Sequence, residues 1–202
     1  MKFDLRPDSP EDDDACLAAT GKTYDQWFAA IEAAGFSSKR REGIQMIYDA
    51  TGRGKDVWWP TTIWVAYDRA RGLVQKDGRA DGYHICVTKG LKTMPEDVFL
   101  HFATDEALNA WVEDWNGPVV EGAPFTCGDC SGTIGRIREN KDIRMAWQSP
   151  GFGPTDVEIQ FNVFSGKTTV AVNHKRIATR AEADGLRRAW GEALERLKAK
   201  MG

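Results

Sequence analysis

The chain has 202 residues, 42% hydrophobic and 28% charged, with a net charge of −3. This is ordinary globular composition, with room for a unit of about 50–60 residues beside one of about 120, and without the dense basic excess of a nucleic-acid footprint. No stretch approaches the roughly 18 apolar residues that span a bilayer, and the first twenty lack the basic start and apolar middle of a signal peptide, so a cytoplasmic location with no membrane contact is expected.

Eight tryptophans leave much aromatic surface to bury, which implies a large core or a lined cavity. The four cysteines, Cys16, Cys86, Cys127 and Cys130, are sparse and unevenly spaced. They read as reduced thiols rather than a disulfide framework.

Residues 1–19 set Lys2 and Arg6 against Asp4, Asp8, Glu11, Asp12, Asp13 and Asp14, with Pro7 and Pro10 among them. Such a run is expected to be a disordered acidic tail. Thr23 with Gln26 then forms a capping box, and Trp27, Ile31 and Ala34 recur at helical spacing up to Gly35. A second helix is predicted from Arg41 to Thr51, with Ile44, Ile47 and Tyr48 on one side and Gly52 and Gly54 as breakers. The third starts near Pro60, carries Ile63, Trp64, Tyr67 and Ala70, and ends at Gly72. Residues 20–73 therefore read as a three-helix domain.

The runs TGKTYDQWFAAIEAAG and GRGKDVWWPTTIWVAYDRARG resemble a small bacterial helical family of unknown function. Its signature is a G-K-T-aromatic start, a W-W pair and a Y-[DE]-x-A-R-G finish. Trp58 and Trp59 are candidates for a binding surface, with core and hinge packing as the other reading.

Residues 74–81 are polar and glycine-bearing, as a linker would be. Tyr83, Ile85 and Val87 then alternate as in a half-buried strand, Pro95 opens a short helix with Val98, Phe99 and Phe102, and Thr104 caps another with Leu108, Trp111 and Val112. Strands are predicted at about 121–127, 131–138, 142–148, 156–164 and 167–174. Thr179 with Glu182 opens a long helix over 179–200 that carries Leu186, Trp190, Ala193 and Leu197 on one side.

PEDVFLHFATDEALNAWV resembles the helix pair of the START/Bet v 1-like (SRPBCC) superfamily. IRMAWQ, GKTTVAVNHKRI and RRAWGEALERL resemble its branch related to the C-terminal domain of activators of heat-shock protein 90 ATPase. The resemblance covers about residues 82–202 and implies an α+β helix-grip fold, an antiparallel sheet wrapped on the long C-terminal helix, with the three-helix domain in front. Members of the superfamily are lipid or hormone carriers, polyketide cyclases and chaperone-associated proteins, so the fold implies a cavity between sheet and helix without fixing its use.

Cys127-Gly128-Asp129-Cys130 is the one motif with metal or redox spacing, but it falls between predicted strands where a turn belongs, and no metal or other cofactor is expected. His174 shares a strand face with Val170 and Val172, and the resemblance places it at the histidine position of the T-x-x-x-x-x-H pattern of that branch, counted from Thr168. It is a candidate general base or a structural hydrogen-bonder. Lys39-Arg40-Arg41 reads as a solvated basic corner, and Gly52-Arg53-Gly54-Lys55 lacks the context of a P-loop.

The leading expectation is a binding protein holding a small apolar molecule, with Phe99, Phe102, Trp111, Met145, Trp147, Phe161, Val172, His174 and Trp190 as candidate walls. The row Gly185, Ala189 and Ala193 is expected to leave space, unless Trp111, Trp147 and Trp190 fill it. Two alternatives stand beside this: a cyclase or hydrolase using His174, and a regulator whose helical domain contacts protein or nucleic acid or self-associates.

Overall fold

Asp12 caps a helix where the acid-rich composition suggested a disordered tail. Its side chain accepts the Ala15 backbone N–H at 2.8 Å, and Asp13 and Asp14 sit in the first turn of α1 (Asp13–Thr20), where negative charge favours the helix dipole. The run that looked like a solvated tail is thus partly a cap. Cys16 is the one buried side chain of this short helix, too faint a signal to find by periodicity.

The computed structural model describes residues 1, 3–5, 11–51 and 58–202. The predicted break at Gly52 and Gly54 and the Gly52–Lys55 stretch lie outside the described residues. The chain divides into two units, Pro7–Tyr83 and Met1–Arg6 with His84–Gly202.

The first unit holds four helices among its described residues, α1 added to the three expected. α2 (Tyr24–Ala33) has the capping box in full, with Thr23 accepting from the Gln26 N–H and Gln26 accepting from the Thr23 N–H at 3.0 Å. α3 spans Arg40–Ala50 and α4 Trp59–Ala70, with proline in the first turn. Trp27, Ile31, Ile47, Ile63, Trp64 and Tyr67 form their common core. Trp58 is half-buried, its ring edge-on to Tyr83 at 6.0 Å, and Trp59 is buried in the same core. The predicted linker is a closed loop, with Gln75 N–H donating to Arg79 O and Gly78 N–H to Gln75 O, both at 2.9 Å.

The second unit is the sheet. β1 (Tyr83–Leu91) leads to α5 (Pro95–Leu100) and α6 (Asp105–Val112), then to β2 (Trp115–Asn116), β3 (Pro124–Cys127), β4 (Cys130–Arg138), β5 (Asp142–Gln148), β6 (Thr155–Phe164) and β7 (Lys167–Ile177), and α7 (Arg180–Met201) closes it. The strand order is β1-β7-β6-β5-β4-β3-β2, with antiparallel pairing from β2 through β7. Alternation puts Ile143, Met145 and Trp147 of β5 and Val157, Ile159 and Phe161 of β6 on the buried face. The 22-residue α7 lays Leu186, Trp190, Ala193, Leu194 and Leu197 against them, and Lys198 and Lys200 suit its C-terminal dipole end.

Gly185 does not serve as expected. A Cβ there would meet Asp4 O at 2.3 Å and the Phe3 ring at 2.9 Å, so the glycine accommodates the N-terminal segment rather than leaving space for a ligand. Met1, 1% exposed, reaches the Cys127–Gly128 turn, its nitrogen 3.5 Å from Cys127 Sγ.

Candidate functional site

Where α6, the sheet and α7 meet, Phe102, Leu108, Trp111, Met145, Ile159 and Trp190 are among the side chains around an apolar hollow. Its volume is about 10 Å³. That is room for about one water molecule, against the several hundred Å³ of a ligand pocket.

Tryptophans fill the interior, and the three that line the hollow bond their indole N–H groups away from it. Trp111 Nε1 donates to His101 O and Trp115 Nε1 to Gly117 O, each at 2.9 Å, while Trp190 Nε1 donates to His174 Nδ1 at 3.3 Å. Everything the hollow presents inward is therefore hydrocarbon or ring face.

Of the nine sequence-derived wall residues, the structure brings Phe102, Trp111, Met145 and Trp190 together at the hollow. Phe99 and Phe161 stand behind Phe102, with the Phe102 and Phe161 rings 4.9 Å apart and the Phe99 and Phe161 rings 5.7 Å apart. Trp147 packs on Trp190 at 5.4 Å and edge-on to His174 at 6.1 Å, and Val172 is buried opposite Ile159. Sequence reasoning missed Leu108, Ile134, Ile143, Ile159 and Trp115 as walls. Ile134, Ile143 and Ile159 carried the same alternation as the residues chosen. Trp115 gave no such signal, because β2 has only two residues.

The His174 network has one consistent proton arrangement. An indole N–H only donates, so Nδ1 is the acceptor and the neutral ring carries its proton on Nε2. Nε2 then donates to Thr155 Oγ1 at 2.7 Å, and the Thr155 hydroxyl donates to Trp147 O at 3.0 Å. Full burial pushes the pKa of His174 down to about 3. Both nitrogens are committed, and among the described residues no carboxylate hydrogen-bonds to the ring. As placed, His174 holds α7 to the sheet and has no lone pair to offer a substrate.

Glu182, in the first turn of α7, is also fully buried. It accepts the Ala178 N–H at 3.2 Å, and burial pushes its carboxyl up, partly offset by Ser149 and that backbone bond.

Cys127 and Cys130 face each other across the β3–β4 hairpin, with Gly128 at φ 59° making the turn. Burial raises both thiols, Cys130 to about 12. Among the described residues no three His, Cys, Asp or Glu side chains converge as a metal site would require. The basic corner is partly spent as well, because Arg40 turns inward to Asp81, 3.0 Å away. No helix among the described residues is long and apolar enough to cross a membrane.

An antiparallel sheet on a long C-terminal helix, with a helix pair after the first strand, defines a helix-grip protein. The chain belongs to the family of activator of Hsp90 ATPase homolog 1-like proteins, whose model matches residues 92–202. No curated protein matches the sequence.

Solved structures that share the fold include three with the following measures of similarity. CalU16 from Micromonospora echinospora has a TM-score of 0.54 at 19% identity, over 59% of this chain and 76% of that one. The Aha1 dimer from Colwellia psychrerythraea has a TM-score of 0.51 at 22% identity, over 59% and 96%. PFC0360w, an HSP90 activator from Plasmodium falciparum, has a TM-score of 0.51 at 18% identity, over 60% and 97%.

Proposed function

We infer that the chain acts by binding rather than by catalysis, and that the hollow between α6, the sheet and α7 is the seat of a small apolar ligand. The observation that carries this reading is the orientation of the polar atoms: each indole N–H around the hollow is bonded away from it, and His174 is closed on both nitrogens. An enzyme needs a convergent acid, base or nucleophile, and the hollow presents none. At about 10 Å³ the seat is contracted, so a ligand enters by displacing a wall. α6 supports that role, since its eight residues are followed directly by Glu113 and Asp114, both at positive φ, 66° and 55°. Side chains other than glycine adopt that conformation at a cost, as at joints under strain.

The test is a titration of the whole chain with N-phenyl-1-naphthylamine, a neutral apolar fluorophore. Saturable one-site enhancement is expected, reduced in Leu108→Trp, which fills the hollow. A featureless titration of a folded wild-type protein would overturn the reading.

A further inference from the structure

The hollow is contracted to about 10 Å³, so entry requires one of its walls to move, and the walls differ in what holds them. Ile134, Ile143, Met145 and Ile159 stand on β4, β5 and β6, which pair along their length, so none of these strands can shift alone. α7 buries one side of its 22 residues, and its Trp190 is bonded to His174. α6 brings Leu108, Trp111 and Val112 to the hollow on eight residues. At that length a helix depends on its tertiary contacts rather than on its own hydrogen bonds.

Arg196 of α7 ties down the C-terminal end of α6. Trp111 O belongs to the last turn, whose carbonyls have no donor within the helix. Arg196 Nε donates to it at 2.8 Å, and Nη2 lies 3.3 Å from Glu113 Oε2. A cation there also suits the negative end of the helix dipole. The joint just beyond is fastened on the side of the β3–β4 hairpin. Asp114 O accepts the Gly128 N–H at 3.1 Å, and Glu113 O accepts from the Met1 nitrogen and, at 3.7 Å, from the Cys127 thiol. α6 therefore has a held pivot at Glu113 and Asp114, both at positive φ, and a side-chain tie to α7 whose two members are 33% and 53% exposed. Water can replace such a tie without stranding a buried charge.

We propose that Arg196 is the latch of the hollow: while it holds Trp111 O and Glu113 the seat stays contracted, and when it lets go α6 turns out on the Glu113–Asp114 pivot and uncovers the apolar walls. In this role Arg196 is a positioning residue, acting through α6 rather than on the ligand. The inference rests on the reading of the hollow as a ligand seat. A latch that closes again over the bound ligand slows entry and exit alike, because both pass through the same opened state, so it changes rates far more than affinity.

The experiment is stopped-flow fluorescence of the whole chain with N-phenyl-1-naphthylamine. Wild type is compared with Arg196→Met, which keeps the apolar stem and removes every donor, and with Glu113→Gln, which removes the ion pair and leaves the bond to Trp111 O. Arg196→Met should raise the association and dissociation rates together by about tenfold, the worth of one charge-assisted hydrogen bond, with little change in Kd. Glu113→Gln should raise both by less. Amide hydrogen exchange without ligand should rise in residues 105–112 of Arg196→Met and stay unchanged in β5 and β6. Binding by wild type, with rates and α6 exchange unaltered in Arg196→Met, would overturn the latch and leave the seat standing. A weaker Kd carried by the dissociation rate alone would make Arg196 a ligand contact and overturn the latch as well. No binding by wild type would overturn the seat, and the latch with it.

Discussion

The indole N–H of Trp190 on α7 donates to Nδ1 of His174 on β7 at 3.3 Å, inside a core where both residues are essentially inaccessible to water. The bond fixes the histidine tautomer and, through Nε2, the Thr155 hydroxyl. Removing the donor by Trp190→Phe leaves a buried acceptor without a partner, and a loss of about 1–3 kcal/mol is expected in urea unfolding.

The same histidine sets a pH dependence. Its folded pKa, about 3, lies below the unfolded value near 6.5, so the unfolded chain binds the proton more tightly. The stability it confers is complete above pH 6.5 and is lost as pH falls toward 3, at up to about 1.4 kcal/mol per pH unit. Raised carboxyls at Glu182 and Asp68 act in the opposite sense, since their folded forms hold the proton more tightly. The informative quantity is therefore the difference between wild type and His174→Gln. Unfolding free energies measured from pH 4 to 8 should show a shallower acid-side fall in the variant, and parallel curves would contradict the assignment.

Alanine normally favours a helix interior over glycine by about 1 kcal/mol. Two glycines in this chain should reverse that sign. At Gly185 the new methyl group would meet the Asp4 carbonyl, which is backbone and cannot rotate away. Gly185→Ala is expected to lower stability by about 1–3 kcal/mol and to raise hydrogen exchange in residues 3–5. At Gly43 the methyl group would strike the Trp64 ring, and Gly43→Ala should loosen the helical unit, read as new exposure of Trp64 in the NMR spectrum.

The thiols differ in access. Cys86 is exposed, while Cys16, Cys127 and Cys130 are buried and have raised pKa values. Iodoacetamide at neutral pH should label Cys86 first, by peptide mass spectrometry, and the other three only on unfolding. Equal early labelling of Cys127 would contradict the packing around the hairpin.

Much of this architecture was legible in the residues. The boxes at Thr23 and Thr179 marked two helix starts within a residue, because capping is local chemistry. The alternation of Ile143, Met145 and Trp147 gave the buried face of β5, because period two is a property of the strand itself. α1 escaped notice because one buried residue, Cys16, makes no period, and Asp12 reads as acidity until its cap bond is seen. The state of the interior was also hidden: whether Trp111 and Trp190 line a space or fill it depends on how α6 and α7 approach the sheet. The role of Gly185 required Asp4, some 180 positions away in sequence, to be placed beside it. The inward turn of Arg40 was missed for a related reason, since a basic triplet at a helix start looks solvated until Asp81 is brought to it.

The binding account is tested most directly by following the tryptophan indole ¹H–¹⁵N signals of the whole chain during titration with N-phenyl-1-naphthylamine. A ligand seated in the hollow should shift the Trp111, Trp115 and Trp190 signals in a saturable, one-site manner, and leave Trp27 and Trp64 of the helical unit unchanged. Unmoved signals for Trp111, Trp115 and Trp190, or shifts confined to the helical unit, would contradict it.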